Sequence, residues 1–134
     1  MTFHSTLSDL STRIRNGQNI RKLEISVKKT QKTIDIITIL KNEGFIRGYT
    51  VKEKKIVIFL KYFTDKPVIS LIEPISTYST NKYTSVKNLV LLKELIKKSN
   101  QGLGLFILST SKGILSDYQS IEQNIGGQII LRVL

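Results

Sequence analysis

Gly102-Leu103-Gly104-Leu105-Phe106-Ile107-Leu108-Ser109-Thr110-Ser111-Lys112-Gly113-Ile114-Leu115-Ser116-Asp117 is the stretch from which the rest of the chain is best read. Leu103 and the run from Leu105 to Leu108 form a short, nearly continuous apolar segment, which favours a strand buried on both faces over an amphipathic helix. Ser109, Thr110, Ser111, Lys112 and Gly113 follow with hydroxyls, a cation and a residue that tolerates positive φ. That composition turns the chain sharply and presents donors outward. It suits a sugar–phosphate backbone, and it also suits an ordinary turn. Two phosphate-binding signatures fail. Gly102 and Gly104 precede the apolar run instead of following a strand, and Ile107 stands where a dinucleotide fingerprint needs its third glycine. Ser109 to Gly113 also lacks the spaced Gly-Lys-Ser/Thr order of a P-loop.

Composition narrows the chemistry. The 134 residues suffice for one compact domain or two small ones. With no cysteine, disulfides and thiolate metal sites are excluded, and a single histidine, His4, argues against a histidine-built metal site or histidine catalysis. No apolar run approaches the ~20 residues that span a bilayer. Lys and Arg number 21 against 10 Asp and Glu, a net charge of +11, and the pI is ≈ 10.0. Such an imbalance costs self-repulsion unless a polyanion neutralises it, so nucleic acid is the leading partner class. An anionic membrane comes second, but neither a basic amphipathic helix nor a lipidation signal is evident. Alanine is absent while Ile, Lys, Asn and Ser abound, a usage expected of an AT-rich coding source.

Working outward, Leu7, Leu10 and Ile14 recur at helical spacing and predict a helix over Ser5 to Asn16, ended by Gly17. Arg13 and Arg15 would then lie near its negative end, as dipole compensation or as RNA contacts. Leu23, Ile25 and Val27 alternate with polar residues and predict a half-buried strand. Thr30 is a candidate cap for a second helix carrying Ile34, Ile37 and Leu40, closed by Gly44. Phe45 to Val51 and Lys55 to Phe63 read as a hairpin with a charged tip, followed by a break at Thr64-Asp65-Lys66-Pro67.

Beyond the break, Val68 to Ile72 predicts a strand interrupted by Glu73-Pro74. A polar segment from Ser76 to Ser85 mixes Tyr78 and Tyr83 with Lys82. These tyrosines serve as packing residues or stack on bases among cations. Leu89 to Ile96 predicts a short helix, Asp117 a cap for another reaching about Asn124, Gly126-Gly127 a turn, and Gln128 to Leu134 a final strand. The expected architecture is α+β. An N-terminal α-β-α-β-β module occupies residues 1–64, and a smaller, mainly β module with short helices occupies residues 67–134 and carries the serine–threonine loop.

The C-terminal series Gly-Leu-Gly-x-x-x-x-Ser-Thr-Ser-Lys-Gly-Ile-Leu-Ser-Asp, with Gly126-Gly127 before an apolar terminal strand, resembles the bacterial-type small ribosomal subunit protein S-eight family. Asp9 to Gln18 resembles that family's first helix, Leu40 to Ile46 the end of its second, and Leu60 to Phe63 its third strand. The resemblance covers almost the whole chain in order. It implies a two-part α+β protein that binds the central domain of small-subunit rRNA directly, beside neighbouring small-subunit proteins, and supports platform assembly and translation. It further implies that Ser109, Thr110 and Ser111 are the main RNA-reading loop, with Lys112 adding charge, Gly113 allowing close backbone approach, and Gly126 and Gly127 positioning the neighbouring turn.

The chain departs from the family pattern in places. Ser76 and Tyr83 are kept from Ser-x-Pro-Gly-x-Arg-x-Tyr, but Tyr78, Ser79 and Asn81 replace its proline, glycine and arginine, leaving Lys82 as a substitute cation. Thr30-Gln31 replaces Ser-Lys at the second helix, where Lys29 or Lys32 supplies the charge. Gln119-Ser120-Ile121 replaces Glu-Ala-Arg, and Gln128 replaces the glutamate after the paired glycines.

The resulting expectation is a non-catalytic rRNA-binding constituent of a small ribosomal subunit, without cofactor, metal or small-molecule substrate. The residue usage and the absence of a recognisable presequence point to an organelle-encoded, mitochondrial ribosome, with a bacterial cytoplasm or a plastid as alternatives. A general basic RNA- or DNA-binding protein is the competing reading, although the basic residues are too dispersed for one recognition helix. An enzyme acting on phosphorylated substrates lacks a base for its serine and an oxyanion hole.

Overall fold

The computed structural model describes residues 3–75, 83–98 and 104–134. Residues 76–82 of the polar segment predicted from Ser76 to Ser85, Tyr78 and Lys82 among them, and the entry to the apolar run at Gly102 and Leu103 lie outside the described residues. The architecture is α+β, and the chain divides into two compact units, Met1–Ser70 and Leu71–Leu134.

The first unit runs α1 (Phe3–Asn19), β1 (Glu24–Lys28), α2 (Gln31–Asn42), β2 (Ile46–Val51) and β3 (Lys55–Leu60), then a small hairpin of β4 (Tyr62–Phe63) and β5 (Lys66–Pro67). Its antiparallel sheet has the order β1-β3-β2, so β3 is paired on both sides. Ile56, Ile58 and Leu60 on one face of β3 are fully buried together with Leu7, Leu10 and Ile14 of α1 and Ile36, Ile37 and Leu40 of α2. Each such side chain contributes about 1.5–3 kcal/mol when removed from water. The helical spacing read from the sequence therefore marks the core-facing stripes.

Four expectations in this unit are corrected. Gly17 does not end α1: it lies inside the helix, where a Cβ would come within 2.6 Å of Ile25 Cγ2. Its missing side chain lets the helix approach β1. The true end is a Schellman motif with Arg21 left-handed at φ 57, Arg21 N donating to Gln18 O at 3.1 Å and Lys22 N to Gly17 O at 2.9 Å. Because the helix runs a turn further than expected, Arg13 and Arg15 stand outside the last turn, which holds no basic residue, and they do not compensate the dipole. Leu23 precedes β1 and is 70% exposed, so only Ile25 and Val27 form the buried face of that strand. The break at Thr64-Asp65 is a hairpin turn, with Phe63 paired to Lys66 and positive φ at both central residues, 50 and 65. This is the handedness that matches twisted antiparallel strands. Thr30 caps α2 as expected, its hydroxyl accepting from Thr33 N at 3.1 Å.

The second unit contains β6 (Ile72–Pro74), β7 (Tyr83–Thr84), α3 (Val86–Lys98), β8 (Leu105–Thr110), β9 (Gly113–Ser116), α4 (Asp117–Glu122) and β10 (Gly127–Val133). Its sheet has the order β6-β10-β8-β9, with β7 also pairing β10. Leu105, Phe106, Ile107 and Leu108 are buried, as an unbroken apolar strand requires. Leu89 of α3 packs with Phe106, Leu108 and Ile129, beside Leu92 and Ile121.

Here too the expectations shift. The strand expected over Val68 to Ile72 begins at Ile72 and includes Glu73 and Pro74; the proline fits because β6 is an edge strand. The helix expected from Leu89 starts at Val86, after Ser85, whose hydroxyl accepts from Asn88 N at 3.3 Å. Asp117 is not a cap. Ser116 is, in a capping box with Gln119, and Asp117 is fully buried. The reversal after α4 falls on Asn124, at φ 56, while neither Gly126 nor Gly127 has positive φ.

Candidate nucleic-acid interface

The residues expected to form one loop instead form the end of a hairpin. Ser109 and Thr110 complete β8, Ser111 and Lys112 make the turn, and Gly113 opens β9. The register runs Ile107↔Ser116, Leu108↔Leu115, Ser109↔Ile114 and Thr110↔Gly113. Positive φ falls on Gly113, at 106, and not on the two turn residues. A side chain there would be strained, so glycine is what lets a tight turn rejoin the ladder.

The three hydroxyls differ in their availability. Thr110 Oγ1 donates to Gly113 O at 2.8 Å and accepts from Lys112 N at 3.2 Å, so this hydroxyl braces the turn instead of reaching outward. Ser109, on the opposite face of the strand, and Ser111, in the exposed turn, have side chains with no partner among the described residues. Ser109 is half-buried; Ser111, Lys112 and Gly113 are exposed. Among the described residues, two hydroxyls without a partner and a cation thus stand at, or just before, a turn whose backbone is fixed by a third hydroxyl.

Gly126 and Gly127 bring a second strip of chain against this hairpin. A Cβ on Gly127 would lie 2.5 Å from Ser109 O and 2.9 Å from Thr110 Cγ2, and one on Gly126 would lie 2.5 Å from Thr84 O. Both approaches are to backbone oxygen, which cannot swing aside. The paired glycines therefore admit the β7 segment and the hairpin to the same end of β10. In register, Gln128 is opposite Tyr83 on one side and Ser109 on the other. Tyr83 is 73% exposed. The structure thus gathers Ser109, Thr110, Ser111, Lys112, Gly113, Gly126, Gly127 and Tyr83 at one end of one sheet. Gln128 was legible only as a family substitution; its place between Tyr83 and Ser109 depends on the pairing of strands remote in sequence.

The remaining predicted residues lie in the first unit. Arg13 Nε pairs with Asp9 at 2.9 Å and its Nη1 donates to Ser26 O at 3.2 Å. These contacts lean the arginine across β1, and with Asn16, Lys22 and Ser26 it borders a shallow cleft of about 270 Å³. Arg15 and Lys32 are exposed. Thr30 is committed to its cap, its hydroxyl also 2.7 Å from that of Thr33. Among the described residues no cluster of three or more His, Cys, Asp or Glu is placed to hold a metal, and no helix is long and apolar enough to cross a membrane.

The profile of the family described as ribosomal protein S8 matches residues 5–134. Similar curated proteins include the small ribosomal subunit protein uS8 of Bradyrhizobium sp. (strain ORS 278) and that of Rhodopseudomonas palustris (strain BisA53), each 40% identical over 138 aligned positions covering 99% of both chains. The uS8 protein of Nitrobacter winogradskyi is 39% identical with the same coverage.

Proposed function

This chain belongs to the ribosomal protein S8 family, and from that premise we propose that the end of its C-terminal sheet is the surface that reads rRNA. The protein is a structural, non-enzymatic constituent of the small ribosomal subunit that binds rRNA. The finer reading is that the target is the central domain of that RNA, and that binding there supports platform assembly beside neighbouring small-subunit proteins. One observation carries the assignment of the surface: the hydroxyls of Ser109 and Ser111, without a partner among the described residues, stand with Lys112 on a hairpin pressed against Gly127, next to Gln128 and exposed Tyr83. Hydroxyls that both donate and accept follow RNA shape and 2′-hydroxyls, Tyr83 offers a stacking face, and Lys112 meets phosphate. Arg13, Arg15 and Lys32 add phosphate contacts from the first unit, and the net charge of +11 supplies the sequence-independent attraction. Lys82 belongs to the same reading but lies outside the described residues.

The compartment is also a proposal. The relatives named above are bacterial, and the mitochondrial assignment rests on residue usage, with a bacterial cytoplasm or a plastid as its alternatives.

The test is binding to a central-domain small-subunit RNA fragment against a scrambled RNA of equal length across a salt series. A preference that persists at ~200 mM salt, where purely ionic binding is greatly weakened, is expected. The Ser109→Ala, Ser111→Ala double variant should lose that preference while keeping the salt-sensitive binding common to both RNAs. Equal affinity of the wild-type protein for both RNAs would reduce it to a general basic RNA-binding protein.

A further inference from the structure

Asp117 is a buried carboxylate that the RNA surface described above does not use, and its contacts lie at the base of the hairpin. The β8–β9 register ends at Ile107↔Ser116, because the chain turns into α4 at Asp117. The next amide of β8 would be left without an acceptor. Asp117 supplies one from its side chain: Oδ2 accepts from Phe106 N at 3.2 Å, and Oδ1 accepts from Tyr118 N at 2.7 Å. The carboxylate thus extends the ladder one step past the end of the strand. Its charge is met by Lys93 of α3, whose Nζ lies 3.0 Å from Oδ2. The same ammonium sits 3.4 Å from the centroid of the Tyr118 ring. It is therefore held between a carboxylate and an aromatic face, as a contact of charges more than an aligned hydrogen bond. The carboxylate is fully buried, and the lysine side chain is 17% exposed.

We propose that Asp117 and Lys93 are positioning residues for RNA recognition: their ion pair ties α3 and α4 to the base of the β8–β9 hairpin and so fixes where Ser109, Ser111 and Lys112 stand. The inference rests on the RNA reading of that hairpin. The turn lies at the far end of the same register, so a loss of order at Phe106 and Ser116 is carried to it as a change of angle. Neither residue reaches the turn itself. Their effect on RNA is therefore on the fit of the surface and not on its charge.

The opposite charges of the pair make this testable. Asp117→Asn raises the net charge by one, and Lys93→Met lowers it by one. Binding to a scrambled RNA should therefore strengthen slightly in the first and weaken slightly in the second. Positioning predicts that both lose affinity for the central-domain RNA fragment by roughly tenfold or more, the equivalent of about 1.4 kcal/mol of lost fit. Lys93→Arg should retain wild-type affinity. Amide hydrogen exchange at Phe106, Leu108 and Leu115, whose N–H groups face across the β8–β9 pair, should accelerate in Asp117→Asn and Lys93→Met and not in Lys93→Arg. Should Asp117→Asn fail to fold, the comparison of Lys93→Met with Lys93→Arg decides the matter alone. Specific affinities that track net charge, or hairpin amides unchanged by Lys93→Met, would overturn the clamp. A wild-type protein without preference for the structured RNA would instead overturn the reading on which it rests.

Discussion

The hairpin at Thr64-Asp65 and the hairpin at Ser111-Lys112 both reverse the chain through two residues, yet they are built differently. The first has the backbone handedness that twisted strands favour, with φ of 50 and 65 at its centre. Its strands are only Tyr62–Phe63 and Lys66–Pro67, and Phe63 is 74% exposed. The second places its positive φ on a glycine, continues from a buried strand that is paired on both sides, and ends on the Asp117–Lys93 ion pair. A good turn alone therefore does not anchor a hairpin. What stands behind the turn decides how firmly its side chains are held.

Removing that support should have the largest effect. Asp117→Ala leaves Lys93 without its carboxylate and Phe106 N without an acceptor, at a cost of about 3–5 kcal/mol in urea unfolding of the whole protein. A loss under about 1 kcal/mol would mean that the buried pair does not anchor the second hairpin. Next in size is Gly127→Ala, which drives a methyl group against Ser109 O; overpacking of this kind costs about 1–3 kcal/mol and should also weaken binding to structured RNA. In the opposite direction, replacing Thr64-Asp65 by Asn-Gly relieves two residues of a left-handed conformation. Thermal unfolding should then show a gain of about 1 kcal/mol with RNA affinity unchanged. A change in RNA affinity would make the first hairpin part of the interface and break the contrast.

Smaller effects are expected in the first unit. Arg13 and Asp9 form a solvent-exposed pair, and Arg13→Ala should cost about 0.2–1 kcal/mol of stability, less at high salt. If its RNA affinity falls more than its stability does, the arginine contacts phosphate. Beside the first hairpin, burial raises the phenol of Tyr62 above its usual value of 10.0, against the opposing positive charge of Arg21, and its hydroxyl donates to Lys22 O at 2.6 Å. The folded state thus favours the neutral phenol. Its contribution is fully present below pH 10.0 and is lost as the pH rises through the higher folded value. Tyr62→Phe should remove that alkaline component, which a pH series of unfolding midpoints would reveal.

What was legible in the sequence was whatever depends on neighbours along the chain. The apolar spacing of Leu7, Leu10 and Ile14 gave the first helix, Thr30 the cap of the second, and the uninterrupted Leu105 to Leu108 the doubly buried strand, because periodicity, capping and burial each write themselves locally. The charge likewise pointed to a polyanion, and the near full-length resemblance to the ribosomal family. Only the tertiary structure decided the rest. Gly17 read as a helix end because a glycine admits two explanations, a left-handed turn or a close approach, and the choice lies with Ile25, which the sequence does not place beside it. Asp117 read as a cap for the same reason: a carboxylate near a helix start serves the helix or something across from it, and Phe106 and Lys93 are across. The division of labour among the three hydroxyls, with Thr110 bracing the turn while Ser109 and Ser111 have no partner among the described residues, follows from strand register. That register is a relation between residues that meet only when the chain has folded.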